Sequence, residues 1–141
     1  PGLESSRREV PQLVWRDSAG STNTELVRLA ADPRLPAFTT LATDDQTAGR
    51  GRLDRAWIAP AGTALAVSVL VRAETPSGRP IEAERLGWLP LAAGAAMADA
   101  VAAVLPAGHS SGPRIGVKWP NDVQLDGRKV CGILSELVPP T

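Results

Sequence analysis

The sequence has 141 residues, 15 basic against 15 acidic side chains, 43% hydrophobic and 21% charged residues. This describes one soluble globular domain, able to bury roughly 68–70% of its unfolded surface, and not a disordered or fibrous chain. A formal net charge of +0 lacks the footprint of a duplex nucleic-acid binder, so no DNA partner is expected and any anion must be met by a local cluster.

One cysteine, Cys131, and one histidine, His109, exclude an intramolecular disulfide, a thiolate zinc cage and a multi-histidine metal site, and favour a reducing compartment. The first ten residues are charged and carry no signal-peptide core. The longest uncharged stretch, Leu86 to Ala98, is shorter than the roughly 20 residues of a bilayer span. It reads as a core helix, and a cytoplasmic protein without a membrane partner is expected.

In chain order, Gln12 to Arg16 reads as a short extended piece carrying Trp15, followed by Ser18, Gly20 and Ser21 as a turn and helix cap. Leu26, Leu29 and Ala30 then recur at helical spacing, with Thr24 and Glu25 in the first turn, where the helix dipole favours acceptors. Asp32, Pro33 and Pro36 close that helix. Phe38 to Thr43 reads as a strand, whereas Asp44 to Trp57 follows neither period. Thr63 to Arg72, apolar and β-branched, reads as a buried strand, and Thr75 to Pro80 as a surface loop.

A helix is expected from about Glu84 to Leu105, with Pro90 predicting a kink or a start near Trp88. Its Ala and Gly residues, Gly94 included, permit close approach to a sheet. Pro106 to Arg114 reads as a loop and Ile115 to Lys118 as a short strand. Asp126-Gly127, between Val123–Leu125 and Lys129–Leu137, is the signature of a two-residue hairpin turn. Alternating helices and strands predict an α/β (α+β) domain, a mixed sheet flanked by helices.

Four segments carry chemistry. Thr47 to Arg52 holds two glycines and two arginines between predicted strands, with Arg55 and Trp57 just beyond. Backbone N–H groups at glycines and forked guanidinium donors suit a phosphate or carboxylate. A solvated turn with arginines paired to Asp44 and Asp45 is equally compatible, and the spacing is neither the Walker nor the Rossmann fingerprint.

Lys118-Trp119-Pro120-Asn121-Asp122 puts a lysine at a strand end before two short polar side chains, an ordinary turn or a site. Asp122 is a possible Mg2+ ligand, but one carboxylate makes no metal site. Lys129 to Leu134 places Gly132 inside a strand, where a ligand or backbone approaches closely; Cys131 there reads as packing, not as a nucleophile. Ser21-Thr22-Asn23 reads as an N-cap, or as a set of donors and acceptors for a small polar ligand. Among fifteen cationic residues only Lys118 and Lys129 are lysines, which fits two sites wanting a point charge or a bias toward arginine.

The order Ser-Thr-Asn, Gln46 before Gly49-Arg50-Gly51-Arg52 with Arg55 and Trp57, Lys-Trp-Pro-Asn-Asp, then Arg-Lys-x-x-Gly-Ile-Leu resembles the catalytic domain of the biotin–protein ligases, from Val14 to Glu136. The resemblance implies the mixed-sheet fold shared with lipoate ligases and class II aminoacyl-tRNA synthetases. It implies ATP- and Mg2+-dependent conversion of biotin to biotinyl-5′-AMP and transfer of biotin to a lysine of a biotin carboxyl carrier protein. It assigns Ser21, Thr22, Asn23, Gln46, Arg50, Gly51, Arg52 and Lys129 to biotin. Arg52, Arg55, Trp57, Lys118, Asn121 and Asp122 fall to ATP, with Arg50, Arg52 and Lys118 stabilising charge on the α-phosphate.

In that family the catalytic domain continues with a further Gly-rich strand and a small barrel, so residues 1–141 are expected to form one catalytic domain incomplete at its C-terminal side. With only fourteen residues before Trp15, neither a winged-helix domain nor transcriptional repression is expected. The rival readings are a lipoate or octanoate ligase, a non-catalytic biotin-binding fragment and a nucleic-acid-binding module.

Overall fold

The computed structural model describes residues 2–75, 77–105 and 114–138. The chain divides into two units, Pro1–Ala73 with Glu136–Thr141, and Glu74–Ser135.

The first unit opens with α1 (Glu4–Glu9), a charged turn and a half that buries no residue and that the sequence does not announce. β1 (Leu13–Trp15) follows, then α2 (Thr22–Leu29), whose N-cap Ser21 accepts from the Thr24 N–H at 3.4 Å. The cap works because the first turn's N–H groups have no intrahelical acceptor. Thr22 and Leu26 are buried along one face, and Arg16 pairs with Glu25 at 3.2 Å.

β2 (Thr40–Thr43) is buried at all four positions. It lies between β1, to which it is parallel, and β5 (Ala66–Val69), to which it is antiparallel, giving the order β1-β2-β5. Leu41, Thr39 and Thr43 are fully buried. The threonine hydroxyls reach the carbonyls of Pro36, Phe38 and Asp45 at 2.8, 3.1 and 3.3 Å, so no polar cost remains unmet. Among the described residues no buried side-chain polar atom lacks a partner.

The expected buried strand at Thr63 to Arg72 is corrected here. β5 is an edge strand in which only Ser68 is buried while Val67 and Val69 are exposed, because Ser68 faces α2, which it meets at Thr22 and Asn23, and its neighbours in the strand point to the opposite face. Between β2 and β5 a small hairpin interrupts, formed by β3 (Gly49–Arg50) and β4 (Ala56–Trp57) across a 3-10 turn at Arg52–Asp54.

The second unit contains α3 (Ala83–Leu86), α4 (Leu89–Val104) and an antiparallel meander of β6 (Ile115–Lys118), β7 (Asp122–Leu125) and β8 (Arg128–Gly132). The break expected near Trp88 is present, with Pro90 in the first turn of α4, where its missing N–H costs nothing. Asp126 and Gly127 turn β7 into β8 with φ of +48° and +78°, the positive pair that a type I′ turn requires. Strand β8 ends at Gly132, short of the expected Leu137. The expected loop at Pro106 to Arg114 lies outside the described residues except for Arg114, as does His109.

The expectation of a core helix is corrected as well. Of α4 only Gly94 is buried, while Leu89, Met97 and Val104 are exposed. Apart from Asp99 the helix is apolar, and one row meets β6: the position a Gly94 Cβ would take lies 3.2 Å from a Val117 methyl and 3.4 Å from Ile133. When charged residues are tolerated, the stretch Ala83–Val104 reaches a hydropathy of 1.4 and is long and apolar enough, by length and composition, to cross a membrane. Its break before α4 leaves a longer piece of 16 residues, about 24 Å at 1.5 Å per residue, against a hydrocarbon core of roughly 30 Å.

Candidate active site

In the first unit the start of α2 is stitched to the segment before β3. Ala19 N donates to Asp45 O at 3.0 Å, Thr47 N to Ala19 O at 2.9 Å and Ala48 N to Gly20 O at 2.7 Å. These bonds set Gln46 opposite Thr22, whose N–H and hydroxyl both donate to Gln46 Oε1, at 2.9 and 3.1 Å. Ser68, the polar position of β5, sends its hydroxyl toward Thr22 Oγ1 at 2.8 Å and to Asn23 Oδ1. Asn23 Nδ2 in turn donates to Glu136 Oε2 at 2.8 Å.

Arg50 completes this cluster. Its Nη2 donates to Glu136 Oε1 at 3.0 Å, to Oε2 at 3.3 Å and to Thr24 Oγ1 at 3.4 Å. The loop's arginines therefore do not pair with Asp44 and Asp45 through Arg50; the partner comes from Glu136, far along the chain. A cavity of about 370 Å³ lies beside it, lined by Thr24, Val27, Arg28, Arg50, Glu136 and Leu137 among others.

The open cradle of backbone N–H groups expected from the two glycines is not what the loop forms. Gly51 N donates to Arg55 O at 2.7 Å, so that donor closes the hairpin. Gly49 serves close packing: a Cβ there would sit 2.6 Å from both Gln46 Nε2 and Trp57 O. Arg52 and Arg55 are exposed on either side of Leu53, which takes a left-handed backbone (φ +57°) and is 83% exposed.

In the second unit the strand register sorts the side chains by face. Lys118 stands opposite Asp122, and Gly116 opposite Gln124. Asp122 pairs with Gly132, Val123 with Cys131 and Gln124 with Lys129, with a bulge between the last two pairs. Because side chains alternate, Lys118, Asp122, Gln124 and Lys129 share one face and Val117, Val123 and Cys131 the other. The Asp126-Gly127 turn itself sets Leu125 against Arg128 and Gln124 against Lys129, and the bulge at Val130 moves the residues beyond it, so that Cys131 and not Val130 opposes Val123. Lys129 Nζ lies 2.6 Å from Asp122 Oδ1. Lys118, Arg114 and Gln124 border a second cavity, of about 390 Å³.

Lys118 to Asp122 forms the β6–β7 turn with a cis Trp119–Pro120 peptide. Asn121 also ties the turn to Ile133: its Nδ2 donates to Ile133 O and its own O accepts from Ile133 N, both at 2.8 Å. Burial pushes the Cys131 thiol above its ordinary pKa, with Asp122 adding to this and Lys129 opposing it, as expected of a packing cysteine. Among the described residues no three His, Cys, Asp or Glu side chains converge as a metal site.

Residues 17–140 match the model of the biotin/lipoate A/B protein ligase family. The chain belongs to this family. Within the biotin/lipoate ligase family it is 44% identical over 134 residues to the biotin–[acetyl-CoA-carboxylase] ligase of Mycobacterium tuberculosis, covering 89% of this chain and 46% of that protein. It is 40% identical over 118 residues to the enzyme of the same name from Paracoccus denitrificans, covering 82% and 43%. The chain spans less than half the length of these curated relatives.

Among solved structures, biotin protein ligase from Aquifex aeolicus in complex with biotin and ATP matches with a TM-score of 0.67 and 33% identity, over 90% of this chain and 47% of that one. The Leishmania major biotin protein ligase in complex with biotinyl-5-AMP gives 0.68 and 28%, over 88% and 51%. The mixed-sheet fold implied by the sequence resemblance is the fold of these neighbours.

Of the expected residues, Ser21, Thr22, Asn23, Gln46, Arg50, Gly51, Arg52, Arg55 and Trp57 belong to the first unit, and Lys118, Asn121, Asp122 and Lys129 to the second. Sequence reasoning missed Ser68 and Glu136. Ser68 did leave a signal, one hydroxyl in the run Ala66-Val67-Ser68-Val69; Glu136 left none, since a lone carboxylate after an apolar run reads as a strand end.

Proposed function

We infer that the chain is a part of the catalytic domain of a biotin–[acetyl-CoA-carboxylase] ligase. It binds biotin and ATP, forms biotinyl-5′-AMP and passes biotin to a lysine of a biotin carboxyl carrier protein. The observation that carries this reading is the cluster of Thr22, Asn23, Gln46 and Ser68 beside Arg50. A ligand entering among these groups must replace bonds that they already make to one another. A ureido ring, with two N–H donors and a carbonyl, can do so; an alkyl chain leaves them unpaired at a cost of about 1–3 kcal/mol each.

In the first step an oxygen of biotin's carboxylate attacks the α-phosphorus of ATP, the bond to the bridging oxygen breaks, and pyrophosphate leaves. The acyl carbon of the adenylate is then attacked by the carrier lysine's amine, an amide forms and AMP leaves with the C–O electron pair. Charge builds on the α-phosphate oxygens in the first step, so fixed cations lower its barrier. Arg50 and Arg52 in the first unit and Lys118 on the polar face of β6 have the chemistry for this. Lys118 is a compact charge at a strand end, opposite an aspartate already bound to Lys129.

Mg2+, which the resemblance implies, finds no protein-built cage among the described residues, and Asp122 Oδ1 is engaged by Lys129. Such an ion would be held chiefly by ATP's own phosphates and water, as Mg2+ commonly is.

Calorimetry tests the reading. Biotin is expected to bind to the 141-residue chain, and lipoate and octanoate are not. Octanoate binding as tightly as biotin would assign the chain to the lipoate branch of the family.

A further inference from the structure

Glu136 touches both parts of the first unit's cluster, the Asn23 amide through Oε2 and Arg50 Nη2 through both oxygens. An ionised carboxylate only accepts. Asn23 must therefore turn its NH2 toward Glu136, which leaves its carbonyl facing the Ser68 hydroxyl. Ser68 has one proton to share between Asn23 Oδ1 and Thr22 Oγ1. The Asn23 carbonyl can only accept, whereas Thr22 has a proton of its own, so the Ser68 proton goes to Asn23. At the far end the Thr22 backbone N–H, which can only donate, forces Gln46 to turn its oxygen inward. The amide nitrogen of Gln46 then faces Gly49. Both ends of the array are thus fixed by groups that cannot exchange roles: the Ser68 proton is spent on Asn23 and the Thr22 hydroxyl proton on Gln46, so the 2.8 Å contact between Ser68 and Thr22 carries no proton of its own.

We propose that Glu136 is a positioning residue of this site. Its carboxylate sets the direction in which the Asn23 and Ser68 hydrogen bonds run and holds Arg50 by one guanidinium nitrogen, so the ligand meets a donor and acceptor pattern already fixed. Only the identity of the ligand rests on the biotin reading. The Arg50 and Glu136 side chains are 45% and 32% exposed, and ion pairs that exposed contribute little to stability. Removing the charge therefore disorders the site more than the fold. The contact uses Nη2 alone, so the Nε and Nη1 donors of Arg50 have no partner among the described residues and stay available to an anion. A carboxylate competing with the ligand for the guanidinium would instead occupy a two-nitrogen edge.

The test uses the 141-residue chain and Glu136→Gln, which keeps the shape but can present either an oxygen or an NH2 to Asn23. The side-chain amide signals of Asn23, assigned by their loss in Asn23→Asp, are compared by NMR without ligand. In the unsubstituted chain one proton is expected to exchange slowly and resonate downfield, and in Glu136→Gln this signature is lost. Biotin binding by calorimetry weakens about tenfold in Glu136→Gln, the scale of one charge-assisted hydrogen bond, while the melting temperature stays within about 2 °C. Glu136→Asp, one methylene shorter, recovers part of the affinity. An unchanged Asn23 amide, or tighter biotin binding by Glu136→Gln, overturns the proposal. If the unsubstituted chain binds no biotin, the functional reading fails while the amide comparison still decides the role of Glu136.

Discussion

Two glycine-to-alanine substitutions that look alike in sequence are expected to differ sharply. At Gly49 the new methyl would lie 2.6 Å from Trp57 O and 3.2 Å from Trp57 Cβ, against an ordinary carbon–oxygen contact of roughly 3.4 Å. The obstacle is backbone, and β3 and β4 are held by only two residue pairs, Gly49 with Trp57 and Arg50 with Ala56. Relief requires the hairpin to open by most of an ångström, an overpacking cost of about 1–3 kcal/mol. Gln46 Nε2, also 2.6 Å away, is pushed off its place opposite Thr22.

At Gly94 the nearest atoms are methyl carbons of Val117 and Ile133, at 3.2–3.4 Å, and side chains can yield. Alanine in a helix interior gains about 0.5–1 kcal/mol over glycine, so the net change at Gly94 is expected within about 1 kcal/mol of zero. Urea unfolding followed by tryptophan fluorescence and far-ultraviolet dichroism measures both. Gly49→Ala should lower the melting temperature by roughly 3–12 °C, at about 3–4 °C per kcal/mol for a chain of this size, and weaken biotin binding. Gly49→Ala with unaltered stability beside Gly94→Ala losing more than about 1 kcal/mol would refute the close-approach reasoning for both sites.

Lys118→Ala is expected to slow adenylate formation by about 10²- to 10³-fold, the usual cost of losing one transition-state donor, with little change in biotin affinity; Lys118→Arg recovers only part, since a planar fork replaces a point charge. Pyrophosphate release measures it, and an unaltered rate with tenfold weaker biotin binding would move Lys118 from catalysis to the biotin pocket. Because burial raises the Cys131 pKa, a smaller fraction of its thiol is ionised in the folded chain than in the unfolded one at the same pH. Alkylation at pH 8 should then be slower than in guanidinium, and the folded state should lose stability as pH rises from the unfolded thiol value through the folded one. Equal alkylation rates in the folded and unfolded chain would contradict the burial.

The sequence by itself determined what local chemistry controls. Ser21 caps α2, Pro90 fixes where α4 can start, and Asp126-Gly127 forces the hairpin, because each acts through backbone angles or hydrogen bonds within a few residues. The motif order likewise named the family and most of the side chains that gather at the start of α2. Tertiary structure decided what depends on partners distant in the chain. Glu136 reaches Asn23 and Arg50 across more than eighty residues, and no periodicity encodes a lone carboxylate's destination. Asn121 was tied to Ile133, and the Gly51 N–H to Arg55. Composition cannot show burial either: α4 and β5 read as core because their residues are apolar, yet burial depends on which neighbours cover each face. The bulge in β8 put Cys131 on the face of Val123 and Gly132 opposite Asp122, since with a side-chain period of two, one extra residue moves every later side chain to the opposite face.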